Sequence, residues 1–206
     1  MPPVRLFILV PECDAEGESP WDWVQNTQPW TEQNDAQWNG SGRLGATWLP
    51  SKLRIIHRER SGDFYDFSTH PIVSPHAWDV LQGVVGESVE ALPVHIVNGG
   101  PLLLLNVLDR VPLASGSETS CRGMKGLATL IHRFVFREKD LCGKAIFRVT
   151  GEGVSYYHCV VAEPFKKSVL AGGLIGADFI EIDWHPDPLA EYEGGAPVCV
   201  SHVVLA

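Results

Sequence analysis

The stretch PIVSPHAWDVLQGVVGESVEALPVHIVNGGPLLLLNVLDRVP, residues 71–112, decides the fold. Ser74 is a favourable N-cap, and Pro75 follows at the first helical position, where its missing N–H costs nothing. Gly83 and Gly86 interrupt the helical pattern that begins there. An apolar segment and then a nearly continuous apolar run follow, separated by a Gly-Gly turn. The predicted order is therefore helix, strand, strand.

The predicted helix has one apolar face. Trp78, Leu81 and Val85 recur at helical spacing, so we expect all three to face the sheet and Trp78 to anchor the helix on it.

The two strands that follow differ in their surroundings. Leu92, Val94 and Ile96 alternate along the first strand, and Pro93 among them is typical of an edge strand, because proline cannot donate to a ladder. The run PLLLLNVLDRVPL, residues 101–113, is apolar at successive positions, which predicts a strand buried on both faces.

Further strands are predicted on the N-terminal side. One is expected at residues 4–10, and a hairpin is expected from residues 53–57 and 64–67, with a turn at Ser61 and Gly62. Between them, residues 11–50 hold five of the seven tryptophans, which an unfolded segment would not need. We expect an irregular, ordered lobe whose tryptophans pack on the sheet; exposed binding anchors are the alternative.

The C-terminal half predicts a second strand, helix and strand. Residues 114–126, rich in Gly and Ser, are expected to form a mobile loop, and the strands at 127–138 and 145–151 are expected to pair with each other across a turn. A strand at 156–161 leads into a helix opened by Glu163-Pro164. This helix is predicted to bury Phe165, Val169 and Leu170. A further strand is predicted at residues 179–182.

Hairpins mixed with two short helices predict an α+β fold, with a mixed, largely antiparallel sheet, a few short helices and an irregular Trp-rich N-terminal lobe.

Composition narrows the functional classes. The formal net charge of −9 repels phosphate backbones, so neither nucleic acid nor an anionic membrane is expected as a partner. Five scattered cysteines without a C-x-x-C pair indicate neither a disulfide framework nor a zinc site, and we expect reduced thiols in the cytoplasm. The short apolar N-terminal run indicates a strand and no signal peptide.

Motifs with chemical meaning are weak. GSGRLG, residues 40–45, matches a nucleotide-binding pattern, but it lacks the preceding hydrophobic strand and the following helix. No two of the eight histidines have the i, i+4 spacing of a helical metal site, and no nucleophile elbow is present. We therefore predict no catalytic residue, no metal and no cofactor.

Several segments resemble one protein family. PIVS at the helix entry, LPV at 92–94, LLNV at 104–107, AIFRVTG at 145–151 and VAEPFKKSVLAGGLIGADFIEID at 161–183 resemble the immunity-protein family of bacterial polymorphic toxin systems that is labelled by its myxobacterial founding member, the eleventh of the named immunity families. The likeness covers about residues 68–183, and Ala162 stands where the family would have a serine. It divides the chain into residues 1–67, with the first strand, lobe and hairpin, and an immunity-like domain and tail at 68–206, within one compact unit.

The resemblance implies a cytoplasmic protein that binds and neutralises a cognate toxin domain, encoded by an adjacent gene, in interbacterial competition. It carries no catalytic residue to this chain and leaves the oligomeric state open. The alternative is a small hydrolase or other enzyme whose site is assembled from scattered His, Asp and Cys residues.

The toxin-binding surface is expected outside the shared scaffold, because specificity resides in surfaces that differ between partners. Two acidic stretches with tryptophans qualify, since acids speed association with a basic partner and tryptophan anchors interfaces. The favoured stretch consists of Asp14, Glu16, Glu18, Trp21, Asp22 and Trp23; the second consists of Trp184, Asp187, Glu191 and Glu193.

Overall fold

A computed structural model of the chain describes residues 4–13, 22–26, 42–48, 52–58, 60–66, 70–121, 128–151 and 158–187. The fold is α+β, as predicted. The strands of these residues are β1 (Leu6–Pro11), β2 (Trp23–Asn26), β3 (Lys52–Ile56), β4 (Phe64–Asp66), β5 (Ile72–Val73), β6 (Val89–Ile96), β7 (Leu102–Val107), β8 (Arg110–Pro112), β9 (Glu118–Cys121), β10 (Ala128–Phe136), β11 (Ile146–Thr150), β12 (Cys159–Ala162), β13 (Ala177–Ile182) and β14 (Trp184–Pro186). The helices are α1 (Pro75–Val85), α2 (Glu138–Leu141) and α3 (Glu163–Ala171), with short 3-10 turns at Gly45–Thr47 and Gly86–Ser88.

The strands form three sheets. The six-stranded sheet has the order β2-β3-β6-β7-β5-β4, the five-stranded sheet has the order β13-β1-β12-β11-β8, and a three-stranded sheet has the order β14-β10-β9. Most pairs are antiparallel; β3 with β6, β8 with β11 and β10 with β14 are parallel.

The two large sheets each contain the same strand–helix–strand unit with a third strand inserted into it. In the six-stranded sheet, β5 and β6 flank β7 and are joined by α1. In the five-stranded sheet, β12 and β13 flank β1 and are joined by α3. Strand β1, from the N-terminal segment, thus lies between two strands of the C-terminal segment.

Helix α1 begins as the sequence predicts. The Ser74 hydroxyl accepts a hydrogen bond from the Ala77 N–H at 3.0 Å, and Pro75 occupies the first turn. Its buried face is Ala77, Leu81 and Val85, spaced by four residues. Trp78 lies beside this face and is only partly buried, so Leu81, fully buried, is the anchor that we expected Trp78 to be.

Helix α3 lacks a side-chain cap, because Ala162 occupies its N-cap. Phe165 and Val169 are buried as predicted, but Leu170 is 64% exposed, so the prediction for that residue is wrong. The two helices pack together closely: a Cβ added at Gly172, just after α3, would lie 2.7 Å from a Val80 methyl of α1. Both helices contribute to one apolar core that also includes buried residues of both large sheets.

Strand β7 is buried at nearly every position, as its continuous apolar run predicts. Strand β6 pairs with β7 over Val89–Val94, whereas β3 reaches only its last two residues, His95 and Ile96. Strand β6 is an inner strand, so the prediction of an edge strand is wrong; Pro93 lies on a part of β6 that β3 does not pair with.

Two predicted strand pairings are wrong. Strands β3 and β4 form no hairpin, because β3 pairs with β2 and β6 while β4 pairs with β5. Strands β10 and β11 lie in different sheets. Helix α2 occupies their connection, which is too long for a tight turn, and β11 pairs instead with β12 and β8.

Of the predicted loop at 114–126, residues 114–121 are described; β9 forms within them and pairs antiparallel with β10, so this part is more ordered than expected. The expectation of reduced thiols is wrong for Cys142, which is disulfide-bonded, whereas Cys13 and Cys159 are free. Within the described ranges, no helix has the length and apolar character needed to span a membrane.

Candidate functional site

The predicted partner-binding residues are only partly described. Asp14, Glu16, Glu18, Trp21, Glu191 and Glu193 lie outside the described residues. Trp23 is placed by its backbone as the first residue of β2. Asp22, Trp184 and Asp187 are described with their side chains.

Asp22 is a buried carboxylate at the start of β2, only 4% exposed. Its Oδ1 accepts a hydrogen bond from the Arg58 N–H at 2.7 Å. Its Oδ2 accepts from the Ser61 hydroxyl at 2.8 Å and lies 3.1 Å from Nδ1 of His57. The Asp22 N–H in turn donates to the carbonyl of Arg60. The side chain thus ties β2 to the segment that follows β3.

These hydrogen-bond donors stabilise the ionised form of the Asp22 carboxylate. Burial alone would raise the pKa of Asp22, but the hydrogen bonds from Arg58, Ser61 and His57 outweigh burial and keep the pKa below its ordinary value. The carboxylate is ionised at neutral pH and its two oxygens are engaged inside the protein. A role of Asp22 in partner binding stays a prediction, and its observed contacts are structural.

Trp184 begins β14, and Asp187 directly follows its last residue. The Trp184 indole N–H donates to the Val4 carbonyl at 2.7 Å, and its ring packs 6.3 Å from that of Phe136. The Asp187 N–H donates to the Phe136 carbonyl, which extends the pairing of β14 with β10. Trp184 is half-buried, so part of its ring packs on the core and part remains accessible.

The described parts of the two acidic stretches belong to different sheets. Asp22 adjoins the six-stranded sheet, and Trp184 belongs to the three-stranded one.

A second carboxylate network, around the half-buried Glu90, was not predicted from the sequence. Glu90 on β6 accepts hydrogen bonds from the N–H groups of Leu44 and Gly45, at 2.7 and 2.8 Å, and from the Asn106 amide at 3.0 Å. Burial would raise the pKa of Glu90, but these donors and Arg43 lower it overall. The carboxylate thereby holds residues 42–48 against the open edge of β6.

Trp48 supports the same attachment. It is buried, packs among residues of the six-stranded sheet, and donates its indole N–H to the Pro93 carbonyl at 2.7 Å. The prediction that tryptophans of the lobe pack on the sheet is confirmed for Trp48. Trp21, Trp30 and Trp38 lie outside the described residues.

A row of polar side chains on the five-stranded sheet was also missed. Arg110, Arg148 and Cys159 are register partners on β8, β11 and β12, which places their side chains on one face. Arg148 is 8% exposed, and its Nη1 lies 3.3 Å from Nε2 of His70, a residue that is 1% exposed and precedes β5. This row therefore meets the other large sheet.

The groups in this row are not activated nucleophiles. Burial raises the pKa of Cys159 to about 12, despite the opposing effect of Arg148, so the thiol stays protonated at neutral pH. Burial lowers the pKa of Arg148, and the neighbouring charge of Arg110 lowers it further. The chemistry available here is hydrogen-bond donation by guanidinium groups.

Among the residues with described placement, no group of three or more His, Cys, Asp or Glu side chains could hold a metal ion. A scan against models of protein families gave no match, and a search of curated proteins found no similar sequence.

Proposed function

We propose that this protein is an immunity protein, which binds and neutralises a cognate bacterial toxin domain in interbacterial competition. The observation that carries the proposal is where the resembling segments lie. PIVS is β5 and the cap of α1, LPV lies in β6, LLNV in β7 and AIFRVTG in β11. These segments are mostly buried, and their strands β5, β6, β7 and β11 are inner strands of the two large sheets.

A scaffold of this kind supports a binding function, because its shared residues are structural and its attached segments are free to differ between partners. Residues 42–48 are attached to the scaffold through Glu90 and Trp48, and β2 is attached through Asp22 and β3. Asp22, the last acid of the N-terminal acidic stretch, is therefore fixed beside the six-stranded sheet. A basic toxin domain is the partner that this charge would attract.

The proposed cellular site is the cytoplasm, where an immunity protein meets an incoming toxin. The disulfide at Cys142 is uncommon in a reducing compartment, so its redox state in cells is a direct check on this part of the proposal. Cell fractionation with thiol labelling would measure both location and redox state.

The toxin encoded by a neighbouring gene is the natural test partner. We expect the two purified proteins to co-elute from a size-exclusion column and the toxin to lose its activity in the complex. Failure of every neighbouring toxin domain to bind would contradict the proposal.

The binding face is tested by neutralising Asp14, Glu16 and Glu18 together, as Asn, Gln and Gln, while Asp22 is kept because it is structural. Association with the toxin should slow at low salt, and the difference from wild type should shrink as salt screens the charges. The matched control neutralises three exposed acids elsewhere: Asp79, Glu118 and Glu138. Equal on-rates for the two triple variants would place the binding face outside the N-terminal stretch.

A further inference from the structure

We propose that the outer edge of β13 binds an extended, basic segment of the toxin domain, which adds to the five-stranded sheet as a further strand. The inference rests on the proposed function, because it assigns a contact surface for the same partner. In strand addition, main-chain hydrogen bonds supply affinity, and the side chains beside the added strand supply specificity.

Strand β13 stands at one end of the five-stranded sheet, where β1 pairs with one of its two sides. Within the described ranges, no strand pairs with its other side. Strand β13 has six residues, whereas the other described strands at sheet edges, β2, β4, β8, β9 and β14, have three or four. Among the described edges, β13 therefore offers the longest row of backbone groups to an added strand.

The backbone groups of β13 point alternately toward β1 and away from it, as in any antiparallel pair. The Glu12 N–H donates to the Gly176 carbonyl at 3.3 Å, and the pairing of β13 with β1 continues from there in an unbroken register. Every second residue counted from Gly176 therefore bonds with β1. The residues whose N–H and C=O groups point to the outer side are Ala177, Phe179 and Glu181.

One of these outward donors has a local acceptor. The Asp178 carboxylate accepts a hydrogen bond from the Phe179 N–H at 2.7 Å. This contact agrees with the outward direction of that N–H, because a group bonded to β1 would not be available to it. Asp178 is exposed, so its side chain is able to turn away when a carbonyl of a partner strand takes its place.

Exposed apolar side chains accompany this edge. Ile180 is 54% exposed although it lies within the strand, and Ile175, two residues before β13, is 45% exposed. Side chains on the same face of neighbouring strands lie about 4.5–5.5 Å apart. A strand added beside β13 would therefore cover part of Ile180 and remove apolar surface from water.

The charges along the edge favour a basic occupant. Asp178, Glu181 and Asp183 are exposed acids, and residues 172–187 include no lysine or arginine. Arg5 pairs with Glu181 at 2.8 Å, whereas neither of the two aspartates forms an ion pair with a described residue. A second copy of the chain would bring the same acids against one another, which opposes self-pairing of an edge strand. A segment with lysine or arginine side chains would be attracted instead.

A contact of this kind is compatible with a shared scaffold. The groups that bind are backbone N–H and C=O groups, which every residue except proline supplies in full. The exposed side chains beside them are free to differ between partners, so the edge of a conserved strand is able to serve a specific interface.

Proline substitution tests the edge, because it removes one outward N–H and leaves the bonds to β1 in place. Glu181→Pro is compared with Glu181→Ala, which loses the same carboxylate and keeps the N–H. The partner is the toxin domain encoded by a neighbouring gene. Its Kd for Glu181→Pro should be about tenfold higher than for Glu181→Ala, because a carbonyl of the added strand loses its donor.

Amide hydrogen exchange in the wild-type complex provides a second measurement. The N–H groups of Phe179 and Glu181 should exchange at least about tenfold more slowly in the complex than in the free protein, because both become bonded. This measurement needs no variant, so it decides the question if Glu181→Pro does not fold.

The charge preference is tested at Asp183. Asp183→Asn should slow association with the toxin domain at low salt, and the difference from wild type should shrink as salt is added. The matched control Asp79→Asn removes one exposed acid from α1 and should associate as wild type does. Equal on-rates for the two variants would contradict a basic segment at this edge.

The remaining outcomes separate the inference from the proposed function. The inference is overturned, and the function stands, if the toxin domain binds while the edge amides keep their exchange rates and Glu181→Pro binds as tightly as Glu181→Ala. Protection of these amides that grows with the concentration of the free protein would assign the edge to a second copy and overturn the inference as well. If no neighbouring toxin domain binds, the proposed function fails, and the inference fails with it.

Discussion

Removal of the Asp22 carboxylate should destabilise the whole fold. The side chain is buried and receives two short hydrogen bonds, from the Arg58 N–H and the Ser61 hydroxyl, with His57 as a third neighbour. Hydrogen bonds to a charged group contribute about 1.5–3 kcal/mol each, but these share one carboxylate and do not add fully. We expect Asp22→Ala to lower the free energy of unfolding by about 3 kcal/mol.

Two milder variants separate the contributions. Asp22→Asn keeps the volume and one acceptor, so it should cost about 1–2 kcal/mol, and Ser61→Ala removes one exposed donor and should cost about 1 kcal/mol. Urea unfolding at pH 7, followed by tryptophan fluorescence and circular dichroism, measures all three. The reasoning is refuted if Asp22→Ala unfolds within about 0.5 kcal/mol of wild type.

The pH dependence of the same variant has a definite sign. The folded-state pKa of Asp22 lies below the unfolded value, near 3.8, so its stabilising contribution is present above that pH and is lost as pH falls through the folded pKa. The difference in stability between wild type and Asp22→Ala should therefore be full at pH 6 and shrink below pH 4. A difference that grows on acidification would contradict the assigned contacts.

Three further outcomes are expected. Leu81→Ala should cost about 2–5 kcal/mol in urea unfolding and Trp78→Ala only about 2, because Leu81 is fully buried and Trp78 is not; the reverse order would show that the helix phase is wrong. Glu90→Gln should speed tryptic cleavage after Arg43, because the carboxylate accepts hydrogen bonds from the N–H groups of Leu44 and Gly45. An unchanged cleavage rate would show that Glu90 does not attach this segment to β6. Thiol titration in denaturant should find three groups before reduction, from five cysteines less the two in one disulfide, and five afterwards; five in both cases would exclude the disulfide.

Local signals in the sequence predicted the local structure well. The cap at Ser74 and the four-residue spacing up to Val85 depend on neighbours within the same helix, and the apolar run of β7 reports its own burial. Trp78 was assigned to the buried face because it is large and apolar, but the small Ala77 is the residue that faces the core. Three apolar residues at helical spacing define the buried face of a helix only to within one residue position.

Strand partners could not be predicted in the same way. Strands β3 and β4 are close in sequence, and so are β10 and β11, which is why hairpins were expected. In the fold, β3 pairs with β6 and β11 with β12, so contacts distant in sequence prevail over the nearest neighbour. The apolar pattern of a strand records how many of its faces are buried, and it carries no information on which strand lies beside it.

Polar networks were the least predictable part, because their partners are brought together only by the fold. Asp22 was read as one member of an acidic surface, yet its oxygens hold Arg58 and Ser61. Glu90 lay within a strand pattern and gave no sign that it would bind the N–H groups of Leu44 and Gly45. Total charge and local acid content do not distinguish a carboxylate that faces solvent from one that holds backbone.

The two carboxylates share a physical role that bears on the proposed function. Each accepts hydrogen bonds from backbone N–H groups, Asp22 joining β2 to the segment after β3 and Glu90 holding residues 42–48 on β6. Both pKa values are lowered, so both ties weaken on acidification, whereas the apolar cores around α1 and α3 contain no group that titrates in that range among their buried residues. The attachment of the N-terminal segments is thus charge-dependent while the scaffold is held by apolar packing. A partner surface on those segments could change its charges freely at exposed positions, but not at Asp22 or Glu90, without loosening the segments that present it.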